Sequence, residues 1–412
     1  MRSFLLRAQV ENKCYHLLPA IVVFVFFASG CASLRQAVPE GLLSSARISG
    51  MQDIRAFSGM PSDSFKRDFL ELLEQEEKDG HSFLNFKSNR IYSMLAISGG
   101  AANGAYGAGL LNGWSESGTR PVFKAVTGIS TGAIIAPFAF LGSKYDDKLK
   151  EFYTNYSTKD IVRIRSPRLR IPFSNSIASA WPLERLIGRY IDAELLKEVA
   201  IEHNKGRRLY VGTTNLDAGR LVIWDMGKIA SAGTDKALEL FRKIILASAS
   251  IPIAFPPVYL KADVNNKHYD EMHVDGGISR QVFFIYDVLQ GFDKALKEKG
   301  VDLSRIKYEI YVIRNGYVDP FYKEIPDKLF AIAERTVDAM TNAQSIGDLY
   351  QLYVFTKDSK GDFNLAYIPV THISNAKELF DPVEMRELFD LGFKEAQAGY
   401  GWKKTPPGID EN

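Results

Sequence analysis

The chain is poor in the two residue types that most often carry chemistry on their own: its 412 residues include two cysteines and six histidines. Cys14 precedes an apolar run and Cys31 follows it, so loss of that run as a leader leaves one cysteine and excludes an intramolecular disulfide. No zinc-ligand spacing occurs, and no metal or organic cofactor is expected. Charge of one sign is also missing. A formal net charge of +2 leaves no basic excess to hold a polyanion, and there is no RNA-binding aromatic signature, which excludes nucleic acid as a partner. The apolar run from Leu17 to Phe27 falls short of the ~20 residues that a helix needs to cross a bilayer. Internal repeats are absent, and no low-complexity linker follows residue 85. With 46% hydrophobic and 24% charged residues, the chain is nevertheless long enough to bury a real core.

What is present begins with a leader. Arg2, Arg7 and Lys13 precede the apolar run, which ends in Ala28-Ser29-Gly30 before Cys31, the layout of a secretory signal peptide. The stretch "ASGC" resembles a bacterial lipobox, with Ala28 where leucine is commonest. That resemblance implies a lipidated Cys31 as the first mature residue, and Ala32 in place of aspartate after it implies sorting to the outer membrane. A simply cleaved secretory signal is the alternative. Residues 1–30 are thus expected to be a lipoprotein signal peptide and 31–61, small, polar and aperiodic, a tether.

From Ser62 the pattern turns helical. Phe65, Phe69, Leu72 and Leu73 recur at i, i+4, i+7 and i+8, while Glu71, Glu74, Glu76 and Glu77 mark a solvated face, which predicts a helical segment within 62–89. From Arg90 short apolar strands alternate with helices: strand 92–98, helix 104–114, strand 123–127, helix 131–141. That alternation predicts parallel pairing. The loops leaving parallel strands then share one edge of the sheet, which makes 99–104 and 128–132 neighbours. Two strands joined at 216–219, a helix over 235–249 and a strand ending at Asp275 follow. A β-rich run over 308–314, helices over 328–342 and 382–398 and a strand over 364–370 complete the chain. The expected organisation is a core over 90–290 with an α/β extension, 291–412, packed on it.

A serine hydroxyl becomes a nucleophile when a base takes its proton and fixed donors meet the oxyanion formed on a carbonyl. Ser130, between Gly128 and Gly132 in a strand-to-helix turn, fits the first requirement. The glycine-rich loop from Gly99 to Gly104 supplies backbone N–H groups, and Asp275, followed by Gly276 and Gly277, supplies a carboxylate at another strand end. Other readings of these segments are weaker. "GGAANG" lacks both the Lys-Ser/Thr of a P-loop and the middle glycine of a dinucleotide loop. In "DVNNKHYDE", Lys267 and His268 occupy positions that a calcium loop reserves for an oxygen ligand and a glycine, so a polar hairpin turn is expected. Arg163, Arg165, Arg168 and Arg170, interleaved with apolar residues, read as an exposed strand or loop, or else as a patch for anionic headgroups.

Taken together and in this order, "LAISGGAANGAYGAGLL", "GISTG", "ASASIPIAFPPV" and "VDGGI" resemble the patatin-like phospholipase family over about residues 92–290. The resemblance implies a three-layer α/β/α domain with a mostly parallel central sheet. It also implies a lipid acyl hydrolase working through a Ser-Asp dyad and an acyl-enzyme, without histidine. By position, Ser130 is the nucleophile, Asp275 the base, and Gly99, Gly100, Ala101 and Ala102 the oxyanion loop. Two residues depart from the family's Gly-Gly-Gly-x-Arg-Gly: Ala101 replaces the third glycine and Asn103 the arginine. A positive φ at Ala101 costs on the order of 1 kcal/mol, and the lost cation makes a neutral lipid or ester as good a substrate as a phospholipid. Two alternatives remain at this stage: a Ser130-Asp275-His372 triad, and a catalytically silent lipid-binding or scaffold lipoprotein. The implied partners are a lipid or lipid-like ester and, through the N-terminal anchor, a membrane of the bacterial envelope.

Overall fold

The computed structural model describes residues 35–78, 90–164, 174–289, 306–319, 322 and 324–409. The leader, Cys31, and Arg165, Arg168 and Arg170 of the basic run lie outside the described residues. Among the described residues no helix is long and apolar enough to cross a membrane.

Twelve strands are described: β1 (Arg47–Ile48), β2 (Arg55–Phe57), β3 (Arg90–Ile97), β4 (Ala125–Ile129), β5 (Arg163–Ile164), β6 (Ala178–Ser179), β7 (Arg208–Asn215), β8 (Arg220–Asp225), β9 (Val258–Val264), β10 (Lys267–Asp275), β11 (Ile306–Arg314) and β12 (Asp362–Tyr367). Ten of them form one sheet. Its centre, β7-β4-β3-β11-β12, is parallel throughout, and antiparallel strands β10, β9, β1, β8 and β2 extend it beyond β7. The fold is a three-layer α/β/α arrangement, because side chains alternate across a strand and each face needs a cover. Leu95 and Ile97 of β3 join a core with Leu110, Ile134 and Leu388 from the helices Gly104–Glu116, Thr131–Leu141 and Pro382–Gln397. Ala96, between them, faces the opposite core, where Leu349 and Leu352 of the helix Leu329–Asp358 pack on Ile310 and Val312 of β11. Farther along that side, Phe65 of the helix Asp63–Lys78 meets Tyr210 of β7, their rings stacked 5.7 Å apart.

Several expectations shift. Residues 47–57, read as tether, supply β1 and β2 and bury Ile48, Ile54 and Ala56. Such short apolar pieces carry no periodicity of their own and gain order from the edges they complete. The C-terminal stretch shares the same sheet, since β11 lies directly between β3 and β12. The helix Pro382–Gln397 approaches Gly104–Glu116 so closely that a Cβ on Gly109 would stand 1.9 Å from the Phe389 carbonyl oxygen. The residues read as a polar turn do form one: Asn265 and Asn266 both have positive φ and close the β9–β10 hairpin.

Candidate active site

Ser130 sits between β4 and the helix Thr131–Leu141 at φ 55° and ψ −123°, a sparsely populated conformation for a residue with a Cβ. The turn is tight enough to require glycine on both sides. A Cβ on Gly128 would lie 2.3 Å from the Gly132 carbonyl oxygen, and one on Gly132 would lie 2.3 Å from that of Ile97. Ser248, the last residue of the helix Asp235–Ser248, braces the turn. Its Oγ accepts the Ser130 N–H at 2.9 Å and donates to the Gly212 carbonyl of β7 at 2.6 Å.

The Ser130 hydroxyl donates to Asp275 Oδ2 at 2.6 Å, and both side chains are buried. Asp275 ends β10, next to β7, and its Oδ1 accepts the Gly277 N–H at 2.7 Å. Burial pushes the Asp275 carboxyl up to about 7, against smaller downward pulls from the Ser130 hydroxyl and the Gly277 amide. Among the described residues no imidazole bonds to this carboxylate. His273 is buried between Thr213 Oγ1 (2.9 Å) and Glu271 Oε2 (3.1 Å), and burial lowers its pKa. His372 bonds Glu384 Oε1 at 2.8 Å.

The glycine loop adjoins Ser130, as parallel strands require: a Cβ on Gly99 would lie 3.2 Å from the Ser130 Cβ. Gly99 donates its own N–H to the Gln281 carbonyl at 3.2 Å. That leaves Gly100, Ala101 and Ala102, at the open start of the short 3-10 helix Ala101–Asn103, as the loop's candidate donors. Ala101 does adopt positive φ, 48°, so the expected strain is present.

Two residues absent from the sequence reading hold this loop. The Asn315 N–H donates to Ser98 Oγ (2.9 Å), its side-chain amide donates to the Ser98 carbonyl (3.0 Å), and its Oδ1 accepts the Gly107 N–H (3.1 Å). A Cβ on Gly100 would lie 2.0 Å from the Asn315 carbonyl oxygen. Arg314, buried at the end of β11, donates to the Gly99 carbonyl at 3.1 Å and to Ser98 Oγ at 3.3 Å. Burial lowers the guanidinium to about 10, so it remains charged at neutral pH, and its Nε has no hydrogen-bond partner among the described residues. The available signal was position: Arg314 and Asn315 end a parallel strand on the same edge as the other loops.

Ala101 and Ser130 open onto a cavity of about 40 Å³ walled by apolar side chains that include Ile134, Ile161, Leu183, Ile251, Phe255 and Phe380. A second polar cluster lies elsewhere. Ligand-type atoms of Asp68, His203 and Asp225 fall within 4.8 Å of one another, but Arg208 Nε stands 2.7 Å from Asp68 Oδ2 and already supplies the counter-charge. We read that cluster as the ion pair fastening the helix Asp63–Lys78 to β7.

Comparison with known proteins bears on the edge just described. Residues 95–286 match the family model for Patatin-like phospholipase. No curated protein sequence matches the chain. Among solved structures, VipD from Legionella pneumophila is similar at 13% identity and a TM-score of 0.30, over 73% of this chain and 67% of that one. The complex of full-length SpcU with full-length ExoU from the type III secretion system of Pseudomonas aeruginosa gives 15% identity and a TM-score of 0.27, over 75% and 53%. This chain spans about half of that second structure's chain, and both superpositions are loose. The family match runs from β3 past Asp275, so residues 95–286, which hold the glycine loop, the serine turn and the aspartate, are similar to a patatin-like phospholipase domain.

Proposed function

We propose that the chain is a serine lipid acyl hydrolase acting through Ser130 and Asp275. Ser130 Oγ attacks the ester carbonyl as its proton passes to Asp275 Oδ2, and the N–H groups of Gly100, Ala101 and Ala102 receive the oxyanion. Collapse breaks the bond to the alcohol oxygen, which leaves with the proton from Asp275, and the acyl group stays on Ser130. Water repeats the sequence with Asp275 again the base, releasing the carboxylic acid and restoring the serine.

The observation that carries this reading is the 2.6 Å hydrogen bond between Ser130 and a buried carboxylate whose pKa lies near neutrality. An exposed aspartate, with a pKa of ~3.9, is a feeble base; this one is matched to work near pH 7. The engagement of His273 and His372 with other partners favours the dyad over a histidine triad. A cavity of about 40 Å³ holds little more than a water or two, so an acyl chain enters only as the apolar wall yields.

A fluorophosphonate probe tests the assignment on the purified chain. Labelling at Ser130, abolished by Ser130→Ala and retained in His372→Ala, supports the dyad. A folded protein that takes no label instead favours the silent lipid-binding reading, and equal loss in His372→Ala favours the triad. The lipoprotein reading belongs to the same proposal: a Cys31 anchor in the bacterial envelope keeps the enzyme at its lipid substrate.

A further inference from the structure

We propose that the outer rim of the Ser130 cavity is a bilayer-docking surface, formed by Ile164, Trp181, Ile253, Leu379 and Val383. This inference rests on the reading of the site as one for lipids.

Four of the chain segments that wall the cavity also turn an apolar side chain outward. Ile251 and Phe255 line the cavity, and Ile253 between them is 72% exposed. Leu183 lines it, and Trp181 at the start of the same helix, Trp181–Tyr190, is exposed. Ile161 and Ile164 repeat the arrangement, as do Phe380 and Met385 with Leu379 and Val383. Hydrogen bonds join the segments to one another. Ile177 and Ala178 donate their N–H groups to the carbonyls of Ile253 and Ala254, at 2.8 and 2.9 Å. Ala178 pairs with Ile164 across β5 and β6, and Phe380 donates its N–H to Thr158 Oγ1 at 2.9 Å. The five outward side chains therefore belong to one tied rim.

Scattered exposed apolar residues are ordinary on any protein surface. Ile253 is not ordinary, because it combines that exposure with φ 73°. A β-branched residue in the left-handed region is a genuine outlier, and such strain persists where surrounding structure enforces it. Here the bond from the Ile177 N–H holds the turn that displays it. A bilayer is the occupant that suits a rim continuous with an apolar acyl cavity, since a lipid passes from one to the other without crossing water. Charge agrees: Arg163 and Arg185 flank the rim, both exposed, with the Arg185 guanidinium 5.1 Å from the Trp181 ring centroid. Basic and indole groups together suit the headgroup level of an anionic membrane.

Trp181 supplies a local reporter, since Trp114 and Trp224 are buried and Trp402 is partly so. A local readout is needed because an N-terminal anchor binds vesicles on its own. The experiment uses the full chain carrying Ser130→Ala, with vesicles of phosphatidylethanolamine and phosphatidylglycerol whose acyl chains are brominated. We expect a blue shift and quenching of the emission that disappear in Trp181→Phe and fall at least twofold in Ile253→Asn. Asparagine tolerates the left-handed turn, so thermal unfolding of that variant should match its parent. In the otherwise wild-type enzyme, Ile253→Asn should lower the ratio of vesicle hydrolysis to short-chain soluble ester hydrolysis about tenfold. Absent quenching, or equal quenching in a folded Ile253→Asn, overturns the docking surface. Quenching in a chain whose wild type cleaves no ester overturns the hydrolase reading instead and leaves the surface standing.

Discussion

Asp275 carries two opposing burdens. As a base it must lose its proton, yet its burial opposes the charge that loss creates. Ester hydrolysis should therefore rise with pH through a single carboxylate limb centred near 7, unmoved by His372→Ala or His273→Ala; a pH-rate profile of the three proteins checks this. Ser130→Ala and Asp275→Asn should each remove nearly all activity, because the pair acts as one unit. Stability follows the opposite sign. With the folded pKa raised from 3.8 to about 7, the folded state binds the proton more tightly, so stability falls as pH rises across that interval and stays low above it. Asp275→Asn should consequently unfold at higher temperature than wild type at pH 8, by ~1–3 kcal/mol of stability, with the advantage shrinking toward pH 4. Arg314 is a positioning residue of a different kind. Its buried guanidinium holds the Gly99 carbonyl and Ser98 Oγ, so it fixes the backbone from which the donor loop starts. Arg314→Gln should lower kcat roughly tenfold to a hundredfold with a smaller effect on KM, and Arg314→Lys should restore part of it.

The elements show why some positions are legible in the sequence and others are not. Ser130, Asp275 and the glycine loop were legible because tight turns demand particular residues at fixed spacing. Arg314 and Asn315 were not, because a strand-end arginine and asparagine have no local signature and their roles come from a neighbouring strand end, Ser98, 216 and 217 residues away. The strand read over 123–127 is Ala125–Ile129, with Phe123 burying its ring just before it. The helix read over 328–342 continues to Asp358. Its second half, "IGDLYQLYVF", is rich in aromatic and β-branched residues and looks strand-like in isolation; packing of Leu349 and Leu352 on β11 decides otherwise. The helix Asp63–Lys78 owes its place to a charge no periodicity reveals. Asp68 pairs with Arg208 in full burial. Removing one partner leaves an uncompensated buried charge, so Asp68→Ala should cost ~3–5 kcal/mol in a denaturant titration.

At the scale of the whole molecule, the family match ends at residue 286 while the sheet does not. A chain ending at 290 would expose the β3 edge and the buried face of Gly104–Glu116, so it should be insoluble or proteolytically labile even though it contains Ser130 and Asp275. Limited proteolysis of the two lengths tests that expectation. The lipoprotein proposal makes its own demand: Cys31→Ser should shift the protein from the membrane fraction to the soluble one and abolish a lipid mass increment. Unchanged fractionation without that increment on wild type would sink it.

The clamp on the glycine loop also sets an order of events in biosynthesis. Domains form from the N-terminus as the chain emerges, so a ribosome that has delivered about the first 300 residues has released both Ser130 and Asp275. Asn315, which fills the space against Gly100 and fastens Ser98, is not yet made. A chain of this topology therefore completes the clamp on its glycine loop only after β11 and Asn315, which lie in about its last quarter, have joined the sheet.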